Sequence, residues 1–119
     1  MTRISLLFDK AIEKLEAQGV RSYDEERDVC KYRDGRGNSC LFGHMISDEH
    51  YNEDFEGRGI TDYDGITSAI QKTTGVDLTE YFTKYELNDL QGVHDYIWDV
   101  TENFKDCIPV HLQQKIWGE

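Results

Sequence analysis

Two stripes of apolar residues at helical spacing bracket the chain and constrain its fold more than any other feature. Ile4, Leu7, Phe8, Ala11, Ile12 and Leu15 recur at steps of three and one, so they share one face of a helix, and Gly19 ends it as a left-handed residue. Near the other end, Leu87, Leu90, Val93, Ile97, Val100 and Phe104 recur at steps of three or four behind the capping box Thr83-x-x-Glu86. The spacing predicts helices over about 3–18 and 84–104. A third stripe of Tyr63, Ile66, Ala69 and Ile70, capped by Thr61 or Asp62 and stopped by Gly75, predicts another. Asp77 and Glu80 frame a short helix through Phe82, and Pro109 opens a closing helix that carries Leu112, Ile116 and Trp117.

Between the first two helices the pattern changes. Ser22-x-x-Glu25 fits a capping box for a short helical turn, and Val29–Arg33 and Ser39–Met45 then flank "DGRGN", where Gly35 and Gly37 can take positive φ. A β-hairpin is expected there. If Tyr32 pairs with Cys40, then Cys30, Tyr32, Cys40 and Phe42 share one face, and both cysteines are core neighbours, reduced, buried and free of metal. Residues 47–60 read as a turn plus loop. The expected fold class is α+β: four or five helices packed on a small antiparallel β-hairpin or sheet, with residues 1–119 forming a single compact domain.

The formal net charge is −11, and it is unevenly placed. Residues 1–47 hold eight basic and eight acidic side chains, whereas residues 48–119 hold sixteen acidic and five basic. An acidic field repels phosphate backbones and favours basic partners, so direct nucleic-acid binding is not expected. The acidic balance serves solubility equally well, and both readings remain open. No apolar run nears the ~20 residues of a membrane span, and charges at Asp9, Lys10, Glu13 and Lys14 interrupt the stretch where a signal peptide is apolar. A cytoplasmic protein is expected, and three irregularly spaced cysteines do not make a disulfide framework.

The chemical motifs are weak. Cys30, Cys40, His44 and His50 form C-x9-C-x3-H-x5-H, with zinc-type ligands but no close C-x2-4-C pair, and buried hairpin cysteines with surface histidines fit it better. A Cys40 nucleophile needs a base, yet His44 on the same strand would start about 13 Å away; His94 or His111 would have to approach through the fold. "DYDGI" at 62–66 carries part of an EF-hand loop but lacks its third ligand and has Thr73 where an EF-hand needs glutamate. "DGRGN" is not a P-loop, because no G-K-[ST] and no helix follow it. His94 lies beside the apolar stripe as a core-edge residue. Asp89, Asp95, Asp99 and Glu102 line the other side as a docking surface or an ordinary solvated face. No cofactor and no metal site is expected.

The central stretch resembles a family of small uncharacterised proteins from bacteriophages and bacteria, through C-x-Y-R, a glycine turn, C-x-x-G-x-x-I-x-D-x-x-Y and then E-G. Cys30, Tyr32, Arg33, Gly35, Cys40, Gly43, Ile46, Asp48, Tyr51, Glu56 and Gly57 fill this pattern, and "LQGVHD" at Leu90–Asp95 resembles a later segment. The resemblance implies a phage or bacterial origin and no activity; position 44 often differs from histidine there. Within the pattern, Arg33 is expected to pair with Asp48 or Glu56 and pin the loop to the hairpin.

The function expected from these features is that of a non-enzymatic acidic interaction protein, with a phage origin implied by the resemblance, that binds and modulates a basic host protein such as a nucleic-acid-binding or defence complex. Its candidate surface is Asp48, Glu49, Glu53, Asp54, Asp89, Asp95, Asp99 and Glu102. Two alternatives stand beside it: a small hydrolase or transferase using Cys40 with His44 or His94, and a ligand sensor with a pocket lined by Tyr32, Tyr51, Tyr96 and Trp98.

Overall fold

The computed structural model describes residues 2–24, 29–62 and 64–118, with Asp24, Val29 and Cys30 described by backbone alone. Tyr63, and Glu25 of the expected Ser22 capping box, lie outside the described residues, as does the Cys30 side chain.

Helix α1 spans Arg3–Gln18, as the first stripe predicts. Thr2 caps it, its hydroxyl accepting the Ser5 N–H while Ser5 reaches back to the Thr2 N–H, and Gly19 closes it at φ 72°. Its buried face packs against the 3-10 turn Gly43–Met45 and two C-terminal helices. Helix α2 spans Asp64–Thr74, with Ile66, Ala69 and Ile70 buried, and a 3-10 turn at Leu78–Glu80 follows Asp77. Helix α3 spans Lys84–Gly92 behind the expected Thr83/Glu86 capping box.

The long helix over 84–104 does not form. After Gly92 one π turn, Val93–Ile97, closes with Trp98 N–H on Val93 O at 2.8 Å, and the backbone then leaves helical geometry at Trp98, ψ 125°. A π turn takes one more residue than an α turn. The position in phase with Leu90 and Val93 therefore moves from Ile97 to Trp98. Trp98 is fully buried against Phe104, while Ile97 is 59% exposed. The local sequence favours the exit: Asp99 accepts the Thr101 N–H and hydroxyl, an Asx turn that competes with helix. Helix α4, Phe104–Cys107, and α5, Val110–Trp117 behind Pro109, complete the chain.

The α+β expectation is overturned, because the fold is helical. Among the described residues the named strands are two, β1, Tyr23–Asp24, and β2, Val29–Cys30, paired in antiparallel register Tyr23↔Cys30 and Asp24↔Val29. A strand pair thus occupies Tyr23–Asp24, where a helical turn was expected. The "DGRGN" loop does turn as expected, with Gly35 at φ 79° and Gly37 at φ 89°, an Arg33↔Ser39 bridge, and Cys40 N–H on Tyr32 O. The ladder stops there. Beyond Cys40 the chain curls into the Gly43–Met45 turn, because Leu41, Phe42, Met45 and Ile46 are all buried, and a strand alternates its faces.

One connected core runs through the helices and the 3-10 and π turns, and Phe8 sits edge-on to Phe82 and Trp117 within it. Among the described residues no helix is long and apolar enough to cross a membrane.

Candidate functional site

The residues of the central pattern close into one network. The Glu56 carboxylate accepts the backbone N–H of Tyr32 at 2.9 Å, the N–H of Arg33 at 3.0 Å and the Tyr51 hydroxyl at 2.5 Å. Arg33 donates to Asp48 at 2.6 Å and to Ile46 O at 2.8 Å, and its guanidinium lies 4.4 Å from the Tyr51 ring centroid. Asp48 is Arg33's ion-pair partner, while Glu56 holds the Arg33 backbone. The Tyr32 hydroxyl donates to Arg58 O and accepts from Gln91, tying the turn to α3. Burial and then the bond to Gln91 act on Tyr32, with burial prevailing, so its phenol stays protonated well above the usual range. Burial and the Glu56 carboxylate raise Tyr51 likewise. Gly43 fits because its N–H meets the Cys40 sulfur at 3.3 Å and a Cβ there would fall on the Tyr32 carbonyl oxygen. No metal ligation or proton shuttle is needed to account for these positions.

The cysteine and histidine chemistry separates. Cys40 and His44 lie on a turn, with His44 N–H on Cys40 O, and not 13 Å apart along a strand. Even so, the Cys40 thiol is buried, and burial pushes its pKa up to about 12, the opposite of an activated nucleophile. The His44 Nε2 bonds Gln18 Oε1 at 2.8 Å, and burial, with Lys14, His94 and Arg33 nearby, lowers His44 to about 4. His94 is buried in the π turn, with Nδ1 on Asp95 at 2.8 Å and Nε2 unpartnered; it is a core residue, not a core-edge one. Among the described residues no three His, Cys, Asp or Glu side chains gather as metal ligands.

The expected aromatic pocket is not assembled. Tyr32 and Trp98 are core, and Tyr51 belongs to the Glu56 network. An open groove of about 1050 Å³ lies instead beside the π turn, with Tyr96 and Trp98 in its lining but neither Tyr32 nor Tyr51. Tyr96 is 84% exposed, and Ile97, Val100 and Val20 are exposed beside it. The Arg21 guanidinium reaches Trp98 O across the groove. This groove was not legible in the sequence, because a regular helical stripe assigns Ile97 and Val100 to the core.

The candidate acids do not form one face. Asp48, Glu49, Glu53 and Asp54 are exposed around the Asn52–Phe55 turn. Asp89 lies on α3, whereas Asp99 and Glu102 follow the π turn on non-helical backbone, and Asp95 is held by His94. The Thr101 N–H and hydroxyl hold the Asp99 carboxyl below its ordinary range. No protein-family model, curated protein or solved structure matches the chain.

Proposed function

We propose that the protein is a non-enzymatic interaction protein that receives a basic host-protein surface in the groove beside the π turn. One observation carries this reading: of the eight exposed large hydrophobic residues among the described residues, Val20, Tyr96, Ile97 and Val100 line that single groove. Clustered exposed apolar side chains with polar surroundings are characteristic of docking sites. Asp95 and Asp99 lie in the lining, Asp62 receives the N–H of the lining residue Gly59, and Glu102 receives the N–H of Asp99. The acids outnumber Arg21 and Arg58, which are themselves engaged with the Trp98 and Asp54 carbonyls.

The net charge of −11 extends this field and steers a basic partner toward the groove. A nucleic-acid-binding protein suits such a surface, with carboxylates meeting side chains that otherwise contact phosphates. The test is affinity capture from bacterial lysate at about 50 and about 500 mM salt, conditions that bracket strong and weak screening. Wild type would run beside Tyr96→Ser/Ile97→Ser and Asp99→Asn/Glu102→Gln. The expected result is a basic protein held at low salt, released at high salt, lost with the apolar pair and weakened with the acidic pair. No partner at low salt, or one indifferent to salt and to both variants, overturns the reading.

A further inference from the structure

A second cavity, of about 610 Å³, opens between α1 and the glycine turn, and it carries basic side chains in a chain of net charge −11. Among the described residues, Lys14, Arg33 and His44 line it together with one carboxylate, Asp48. That carboxylate is committed to Arg33 at 2.6 Å. Lys14 is exposed and has no hydrogen-bond or ion-pair partner among the described residues. Gly35 and Gly37 leave one side of the cavity without side chains, and Ser39 and Ser47 contribute hydroxyls.

We infer that this cavity binds a small phosphate-bearing ligand, held by Lys14 and Arg33 with His44 alongside. Asp48 offsets Arg33 and the lowered His44 is neutral near pH 7, so the uncompensated charge at this opening among the described residues is that of Lys14, beside a guanidinium, in a chain whose net charge is −11. An arginine with a lysine suits a phosphate dianion: the planar fork fixes direction, and the mobile ammonium adds charge. This is not a P-loop, since the G-K-[ST] signature is absent and the cations come from separate segments. The cavity exceeds inorganic phosphate in size, so the ligand is expected to be a phosphomonoester.

His44 reports on occupancy. The cations near it are Lys14 on α1, Arg33 on the turn and His94 in the π turn; Asp48 is the acid that shares its cavity wall, and Gln18 holds its Nε2. A bound dianion offsets those cations, so His44 should titrate at higher pH when the cavity is filled.

The test is titration of the full chain with inorganic phosphate and, separately, O-phosphoserine at low ionic strength, followed by calorimetry and by the His44 ring-proton NMR signals. Lys14→Glu would be compared with Lys72→Glu, which makes the same charge change on exposed α2 surface. Saturable binding is expected, weakened about tenfold or more by Lys14→Glu and little by Lys72→Glu, with an upward shift of the His44 titration. Tighter binding of O-phosphoserine identifies a phosphomonoester, and equal binding identifies free phosphate as sufficient. The inference fails if neither probe saturates, if both variants weaken binding equally, or if His44 does not respond.

Discussion

The Glu56 carboxylate stands 2.9 Å from the Tyr32 backbone nitrogen and takes the place that a neighbouring strand would occupy. A side chain from a loop more than 20 residues away thus supplies the acceptor that a β-ladder would otherwise provide. That substitution lets the chain leave extended geometry directly after Cys40, and it explains why a hairpin-like sequence yields a turn on a helical protein.

Removing this acceptor should be costly. Glu56→Ala leaves the Tyr32 and Arg33 N–H groups and the Tyr51 hydroxyl without their partner. An unpaired buried donor costs about 1–3 kcal/mol, and partial hydration of this site keeps the total near ~3 kcal/mol. Glu56→Gln retains shape and one acceptor and should lose about 1 kcal/mol. Urea unfolding followed by circular dichroism measures both, and equal stability of Glu56→Ala and wild type would show that the network is incidental.

Gly43→Ala should destabilise the protein for a steric reason. The added Cβ meets the Tyr32 carbonyl oxygen, which is backbone and already accepts the Cys40 N–H, so neither side yields without disrupting the turn. Overpacking of this kind costs about 1–3 kcal/mol. Gly92→Ala is the control, since a Cβ there meets nothing within 4 Å and should be neutral or slightly stabilising. Thermal melts should therefore show a drop for Gly43→Ala and none for Gly92→Ala.

His44 makes stability depend on pH over a defined window. Burial, reinforced by Lys14, His94 and Arg33, holds its pKa at about 4 against an ordinary 6.5. Between those values the unfolded chain binds the proton that the folded chain refuses, so stability is present above pH 6.5 and is lost as pH falls toward 4. The urea midpoint should decline over that interval, and His44→Gln should decline less while keeping a partner for Gln18. Parallel declines in both proteins would assign the effect to the carboxylates.

What the sequence made legible follows physical locality. Helix α1, the Gly19 and Gly75 stops, the Thr83–Glu86 capping box and the positive-φ glycines of the turn all depend on residues within one or two turns of each other. The register of the turn is local too, which is why Arg33 opposes Ser39 as the Tyr32/Cys40 pairing requires. The hairpin's length is not local, since it depends on Glu56 and on the burial of Leu41 and Phe42 from both sides. The groove depends on one extra residue in one helical turn, a change that periodicity does not register.

That extra residue supports the sharpest separation of two nearly identical substitutions. In an unbroken helix Ile97 lies seven residues after Leu90 on the same face, so truncating either would open a comparable cavity. In the structure the π turn has passed the inner position to Trp98, leaving Leu90 fully buried and Ile97 59% exposed. Leu90→Ala should cost about 2–5 kcal/mol and Trp98→Ala about 3–5 kcal/mol. Ile97→Ala should stay within about 0.5 kcal/mol, as surface changes do. Chemical denaturation of the three variants decides the matter. A loss at Ile97 comparable to that at Leu90 would restore the continuous helix and remove the groove on which the docking proposal rests.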